Sequence, residues 1–187
     1  MLIRIAILLL ITTIYALVRY TIYGPVSVVH IPIYLLNKSI ALATVCCLLF
    51  VVVSLCKQAQ QQVKFWGIAS FHLASIHVVM STTILSSDYF PAFFNNNQMN
   101  FMGELTVLFG ILSGYALWFA RHPKSTSVQP KVFQCIASVF ILGHLFSIGY
   151  SVWFNIGRWH GGLPPISLIS FIIVMTSLLL LIKHNRN

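Results

Sequence analysis

The sequence predicts an all-α integral membrane protein, and three properties of its composition support that fold class. Hydrophobic residues make up 58% of the 187 residues and charged residues only 7%, against about 25% charged in soluble domains. The mean hydropathy is +0.90, and the acidic residues are Asp88 and Glu104 alone. Such a chain cannot form a wetted surface, whereas lipid requires none. The net charge of +9 lies in short gaps between apolar runs, which indicates membrane topology and argues against nucleic-acid binding.

Six apolar runs are candidates to cross a bilayer, whose core of roughly 30 Å takes about 20 helical residues. In chain order they are residues 5–18, 33–56, 65–87, 101–120, 132–155 and 163–182. The first run could instead be a secretory signal, but no small-residue cleavage site precedes Arg19, which favours a span. Pro164 and Pro165 begin the sixth run and suit a helix start. We therefore expect one six-helix domain over residues 1–187 and no soluble domain.

The basic residues predict that both termini are cytoplasmic. With that orientation, eight basic residues lie inside, namely Arg4, Lys57, Lys64, Arg121, Lys124, Lys131, Lys183 and Arg186. Only Arg19, Lys38 and Arg158 lie outside, and such an asymmetry sets the orientation of membrane proteins. The polar loop 86–100 is then external and solvated. We expect the cell membrane, or the inner membrane if the source is a Gram-negative bacterium.

Three histidines, His72, His77 and His144, fall within apolar runs, where ionisable side chains are costly and usually serve a function. His77 follows Lys64 by thirteen residues, and His144 follows Lys131 by thirteen. Since the third and fifth spans run in the same direction, both imidazoles should lie about 20 Å from the inner boundary. We expect them to face each other across one flat ligand.

Two neutral imidazoles at equal depth are what a six-coordinate haem iron requires. The sequence therefore predicts one haem b between helices three and five, with His77 and His144 as its axial ligands. Small residues on the same helical faces would leave room for a porphyrin. These predicted pocket residues are Ser70, Ala74, Ser81, Ala137, Gly143 and Ser147.

Other roles for these histidines stay open. Either His77 or His144 could be a packing residue that hydrogen-bonds to a neighbouring helix. A metal ion held by the two alone is disfavoured, because nothing nearby offers the third and fourth ligands of a zinc site. His72 lies about 140° around its helix from His77, and the matching depth on the fifth span is Val139. We therefore expect no second haem.

Residues 65–182 resemble the ferric reductase-like transmembrane domain, most closely the membrane part of the STEAP metalloreductases. The similar segments are WGIASFHLASIHVVMS, Glu104 followed by LTVLFGILSGYALWFA, ASVFILGHLFSIGYSVW, and LPPISLIS with Pro164 and Pro165. Their order and spacing carry the resemblance. The first two spans match only loosely, through IYLLNKSIAL.

The resemblance implies that His77 and His144 hold the haem. It also implies that electrons pass from a cytoplasmic nicotinamide through flavin to the haem, and then to ferric iron, cupric ion or oxygen outside. The sequence contains no G-x-G-x-x-G motif after a strand, which such a nucleotide site needs. We expect a separate flavin or nicotinamide reductase, or a membrane quinol, to be the donor. The haem-binding membrane subunit of the bacterial methionine sulfoxide reductase system, in the same broad family, is arranged in this way.

The inner loops offer candidates for an intermediate carrier, FAD or a quinone, because about 20 Å is long for one electron transfer. Cations there would bind a phosphate or an anionic ring, and an aromatic side chain would stack on the ring. The candidate residues are Lys57, Gln62, Lys64, Trp66, Arg121 and Lys131. Positive-inside topology accounts for the same cations without any ligand.

On the outer side, Arg158 and His160 form a candidate acceptor site. A cation and an imidazole there could bind an anionic metal chelate or a cupric ion. Arg158 beside Trp159 would equally suit an interfacial membrane anchor.

The predicted function is a membrane cytochrome that carries single electrons across the membrane, as the membrane component of a metalloreductase-like oxidoreductase. No catalytic side chain is predicted. The alternative is a non-redox membrane protein, an assembly subunit or a small transporter, with structural histidines. Interrupted helices or an internal repeat would favour a transporter, and neither is evident. The oligomeric state, including a homo-oligomer, stays open.

Overall fold

The computed structural model describes residues 2–24, 31–122 and 129–186, which are mostly helical. The long helices in these ranges are α1 Leu2–Leu17, α2 Ile31–Cys56, α3 Gln60–Thr83, α4 Phe101–Arg121, α5 Pro130–Trp153 and α6 Ile166–Arg186. Among the described residues, six helical segments are long and apolar enough to span a membrane. The prediction of an all-α, multi-pass membrane protein is confirmed.

The connection between α2 and α3 is shorter than predicted. α3 begins at Gln60, five residues before the predicted run, because glutamine and lysine are good helix formers. The chain reverses over residues 57–59, where Gln58 adopts a left-handed φ of 56°. The prediction that Lys64 and Trp66 lie in an inner loop is therefore wrong, since both residues lie in the first turns of α3.

α2 is the central helix, and it packs against α1, α3 and α6. Its apolar side chains point in all directions, as expected for a helix surrounded by other helices. One face joins a core with α5 and α6 that includes Leu42, Leu145 and Val174. Another face packs on α3 through Cys47 and Ala69.

A cleft separates α3 from α4 and α5. α2 and α3 form one closely packed pair and α4 and α5 form another, while α6 packs against both α2 and α5. Within the described residues, α3 approaches α4 sparsely and α5 hardly at all. The two pairs therefore face each other without full contact.

The end of α1 is fastened to the start of α6. α1 continues as a π-helical turn, Val18–Ile22, and the side chain of Arg19 is only 2% exposed. The Arg19 guanidinium donates a hydrogen bond to the carbonyl of Leu163, and the Tyr15 hydroxyl donates to the carbonyl of Pro164 at 2.7 Å. These bonds satisfy carbonyls that precede α6. Arg19 is thus buried where it joins the end of α1 to the segment that precedes α6.

The two ends of the bundle differ in character. The end that we call the basic end carries Lys57, Lys64, Arg121 and Lys131. At the opposite end, the hairpin end, strand β1 Phe94–Asn95 pairs antiparallel with β2 Gln98–Met99. Asn96 and Asn97 form the turn with φ of 50° and 64°, the left-handed pair that tight hairpins require. Residues 95–98 are exposed, as predicted for a solvated loop.

Candidate functional site

His77 of α3 is held by a buried amide on α2. Its Nδ1 lies 2.6 Å from Oδ1 of Asn37, a residue only 1% exposed. The Asn37 amide group in turn donates to Oγ of Ser81 at 3.1 Å. An amide oxygen only accepts hydrogen bonds, so the proton of the imidazole lies on Nδ1. Nε2 of His77 has no hydrogen-bond partner among the described residues and keeps its lone pair.

His144 of α5 is held in the same way by α4. Its Nδ1 lies 2.8 Å from the backbone carbonyl of Thr106, which also can only accept, so the proton again lies on Nδ1. Gly110 follows one turn later, and a Cβ atom there would lie 3.3 Å from the same Nδ1. The glycine therefore lets the ring approach the backbone of α4.

The two histidines lie on helices that face each other across the cleft, His77 on α3 and His144 on α5. Lys38 of α2 directly follows Asn37, the hydrogen-bond partner of His77. Each ring has its Nδ1 hydrogen-bonded to an oxygen acceptor, the arrangement that orients metal-bound histidines through their outer partners. Two neutral imidazoles with free Nε2 atoms fit the axial positions of a haem iron.

The predicted pocket residues near the histidines have several different roles. Ser81 binds Asn37, so it supports a ligand and does not merely leave space. Ser147 donates to the carbonyl of Gly143 at 2.9 Å within its own helix. A Cβ atom at Gly143 would lie 3.0 Å from the ring of Phe109. The space beside Gly143, predicted to admit a ligand, is therefore occupied by Phe109 of α4.

Two further residues that were predicted to line the haem pocket differ in their burial. Ala137 is fully buried, and Ala74 is partly buried. His72 is exposed, with its ring edge-on to Phe71 at 5.8 Å between centroids. It therefore points away from the site, as its helical offset from His77 predicts.

A cavity of about 520 Å³ opens at the basic end between α2, α3, α4 and α5. Lys64, Arg121 and Lys131, three of the predicted carrier-binding residues, line this cavity. Gln134 lines it too, and its Oε1 is buried without a hydrogen-bond partner in the described part of the chain. Ser70 lines it at a position about 10 Å along the α3 axis from His77. The cavity thus extends from the basic end towards the histidines.

The other three predicted carrier-binding residues do not line this cavity. Lys57 is exposed in the turn after α2. The side chain of Gln62 accepts a hydrogen bond from Arg4 at 3.1 Å. Trp66 is buried with its ring 4.7 Å from that of Phe50. Because this segment is helical, its successive side chains point to different sides.

At the hairpin end, Arg158 and His160 line one depression of about 570 Å³ together with Tyr23 and Trp159. Gly161 in the same segment has a φ of 60°, and a Cβ atom there would collide with the Tyr23 ring. The glycine is therefore needed for this turn. The structure brings the two predicted acceptor residues to one surface.

Three residues that contact the histidines or adjoin such a contact were not singled out from the sequence. Asn37 and Lys38 are polar residues inside the second apolar run, and the criterion that selected the histidines would have found them. Lys38 lies in α2, within the predicted second span. Thr106 contributes a backbone carbonyl, for which no side-chain signal exists.

No protein-family model matches the chain, and no curated protein matches it. Within the described ranges, no group of three or more His, Cys, Asp or Glu side chains could hold a metal ion. A six-coordinate haem needs only two protein ligands, since the porphyrin supplies the other four. Functional inference therefore depends on His77, His144 and their partners.

Proposed function

We propose that the protein is a b-type membrane cytochrome of the ferric reductase-like kind, which passes single electrons across the membrane. His77 and His144 would hold one haem between α3 and α5. The supporting observation is that the two imidazoles lie on facing helix pairs, with each Nδ1 bound to an acceptor and with no hydrogen-bond partner for either Nε2 among the described residues. A bound haem would supply a one-electron iron couple.

The protein's own groups would prepare both ligands. The Asn37 amide oxygen and the Thr106 carbonyl hold each proton on Nδ1, so that Nε2 is the atom left for iron. Neutral imidazoles are also the form favoured inside an apolar bundle. The order of segments quoted above, from residue 66 to residue 170, supports membership of the ferric reductase-like family.

The absorption spectrum of the purified protein tests this function. We expect a reduced spectrum typical of bis-histidine haem b in the wild type, lost in His77→Ala and in His144→Ala. His72→Ala is the matched control, because His72 is exposed on another side of α3, and it should keep the spectrum. A wild-type protein that shows no Soret band after reconstitution with haem would contradict the proposal.

Electron entry is assigned to the basic-end cavity. Lys64, Arg121 and Lys131 surround it and suit the phosphates of FAD or the carbonyl groups of a quinone, offered by a separate reductase or by the membrane. A carrier in this cavity would shorten the transfer distance, since the cavity reaches Ser70.

Titration of the purified protein with FAD and with a soluble quinone analogue tests the donor site. Arg121→Ala should weaken binding of the true carrier about tenfold, the value of one charge-assisted contact. Lys57→Ala is the control, since Lys57 is exposed outside the cavity. Equal effects of the two substitutions, or no binding of either compound, would overturn the assignment.

Electron exit is assigned to the hairpin end, where Arg158 and His160 share one depression. An anionic metal chelate suits this pair, because the guanidinium binds carboxylates and the imidazole can bind a metal. This assignment requires the hairpin end to face outwards.

The second candidate function is a non-redox membrane protein, either an assembly subunit or a small transporter. It is favoured by the fact that each histidine already has a hydrogen-bond partner on a neighbouring helix, as a packing residue would. A colourless protein that binds no haem would make this the leading function.

A further inference from the structure

Lys38 is a cation inside the bundle without a balancing anion. It lies in α2 directly after Asn37, and its Nζ is 5.2 Å from the centroid of the Tyr34 ring and 5.3 Å from that of Phe90. Ring faces attract an ammonium group, but they do not replace the anion that a charge in this setting normally pairs with.

No carboxylate of the described chain pairs with Lys38. The two acidic residues, Asp88 and Glu104, are both exposed at the hairpin end. Arg19 also lacks a carboxylate partner and its Nε is buried without a hydrogen-bond partner among the described residues, but its guanidinium donates to the carbonyl of Leu163. Lys38, in contrast, is placed against aromatic rings with no carboxylate beside it.

Lys38 lies next in sequence to the residue that holds one of the candidate haem ligands. It directly follows Asn37 in α2, and Oδ1 of Asn37 lies 2.6 Å from Nδ1 of His77. Its side chain extends towards Tyr34, one helical turn nearer the hairpin end, and towards Phe90 in the loop beyond α3. The ammonium group thus lies on the hairpin-end side of the two imidazoles.

We propose that Lys38 is the counter-ion for a carboxylate of the haem. This inference rests on the proposed function, since haem b carries two carboxylates on one edge of its ring. The edge that bears them would face the hairpin end, where Lys38 extends. The pairing would satisfy a cation that the protein leaves without a carboxylate partner.

Reconstitution of the solubilised full chain with haem b and with its dimethyl ester, which lacks the carboxylate charges, tests this pairing. Wild-type protein should bind haem b at least about tenfold more tightly than the ester, as one charge-assisted contact predicts. Lys38→Met should lose that preference through weaker binding of haem b, while binding of the ester is unchanged. Lys38→Arg should restore the preference, and Lys183→Met, which changes an exposed lysine of α6, should retain it.

The other possible results overturn either the pairing or the proposed function. If Lys38→Met weakens the binding of haem b and of the ester equally, or weakens neither, the pairing is overturned. Lys38 would then be a structural residue or the partner of another anion. Should Lys38→Met fail to fold, Lys38→Gln replaces it, and a wild type that does not prefer haem b over the ester already refutes the pairing. Failure of the wild type to bind either compound would instead refute the proposed cytochrome function.

Discussion

Asn37 and Thr106 set the chemical state of the two membrane histidines. Each supplies one oxygen that accepts the Nδ1 proton, at 2.6 Å and 2.8 Å. The two acceptors differ, because the Asn37 oxygen belongs to a side chain and can be changed by substitution, whereas the Thr106 oxygen belongs to the backbone. Asn37 is therefore the position at which the properties of His77 can be altered without removing it.

Two substitutions of Asn37 should shift the midpoint potential of a bound haem in opposite directions. Asn37→Ala removes the acceptor, weakens the His77 ligand and should raise the potential, whereas Asn37→Asp strengthens the ligand and should lower it. A redox titration of the reduced absorption band measures both. Ser75→Ala is the control, since the Ser75 hydroxyl bonds only within α3. Shifts of the same sign in both Asn37 variants would contradict a positioning role.

Glycines decide how closely neighbouring helices approach in this bundle. Trp153 of α5 is 6% exposed, and its indole N–H donates to Oγ of Ser167 on α6 at 3.0 Å. Gly149 lies one turn before Trp153, and a Cβ atom there would collide with both the indole and the Ser167 hydroxyl. A Cβ atom at Gly114 would meet nothing within 4 Å. Two glycines of similar appearance in the sequence thus have different structural roles.

Gly149→Ala should destabilise the protein by about 1–3 kcal/mol, the usual cost of an added methyl group in a packed interior. Gly114→Ala should leave the stability unchanged or raise it by about 0.5–1 kcal/mol, because alanine is the better helix former. Thermal unfolding in detergent, followed by loss of the monodisperse peak in size-exclusion chromatography, compares the two. Equal melting temperatures would show that α5 and α6 are not packed in this way.

The described bundle is built on two packed helix pairs, α2 with α3 and α4 with α5, which are joined through α6, while α1 packs against α2. His77 belongs to the first pair and His144 to the second, so a ligand between them would connect the two halves. The basic-end cavity and the hairpin-end depression lie at opposite ends of the bundle. Electron transfer from one end to the other requires a fixed orientation in the membrane.

The excess of basic residues at one end predicts that this end is cytoplasmic. In intact cells, a membrane-impermeant maleimide should label Asn96→Cys, made in a Cys56→Ser background, since residue 96 is exposed in the hairpin. Native Cys56, exposed at the end of α2, should react only after permeabilisation. Labelling of Cys56 but not of position 96 in intact cells would reverse the orientation and the direction of electron transfer.

Composition and spacing were sufficient to predict six helices that could span a membrane. They also singled out His77 and His144 as the candidate haem ligands. Lipid demands long apolar runs with satisfied backbone groups, and the fixed rise of an α-helix converts residue counts into depth. The sequence could not show which nitrogen of each histidine is free. The oxygen atoms that bind the Nδ1 atoms belong to Asn37 and Thr106, which lie on other helices, 40 and 38 residues away.

Only the tertiary structure decided the rotation of each helix about its axis. It turned Trp66 towards α2, filled the space at Gly143 with Phe109, and placed Lys38 against the rings of Tyr34 and Phe90. The physical reason is that a span which is apolar on all sides does not specify which side faces protein and which faces lipid. Close packing and buried hydrogen bonds with neighbouring helices make that choice.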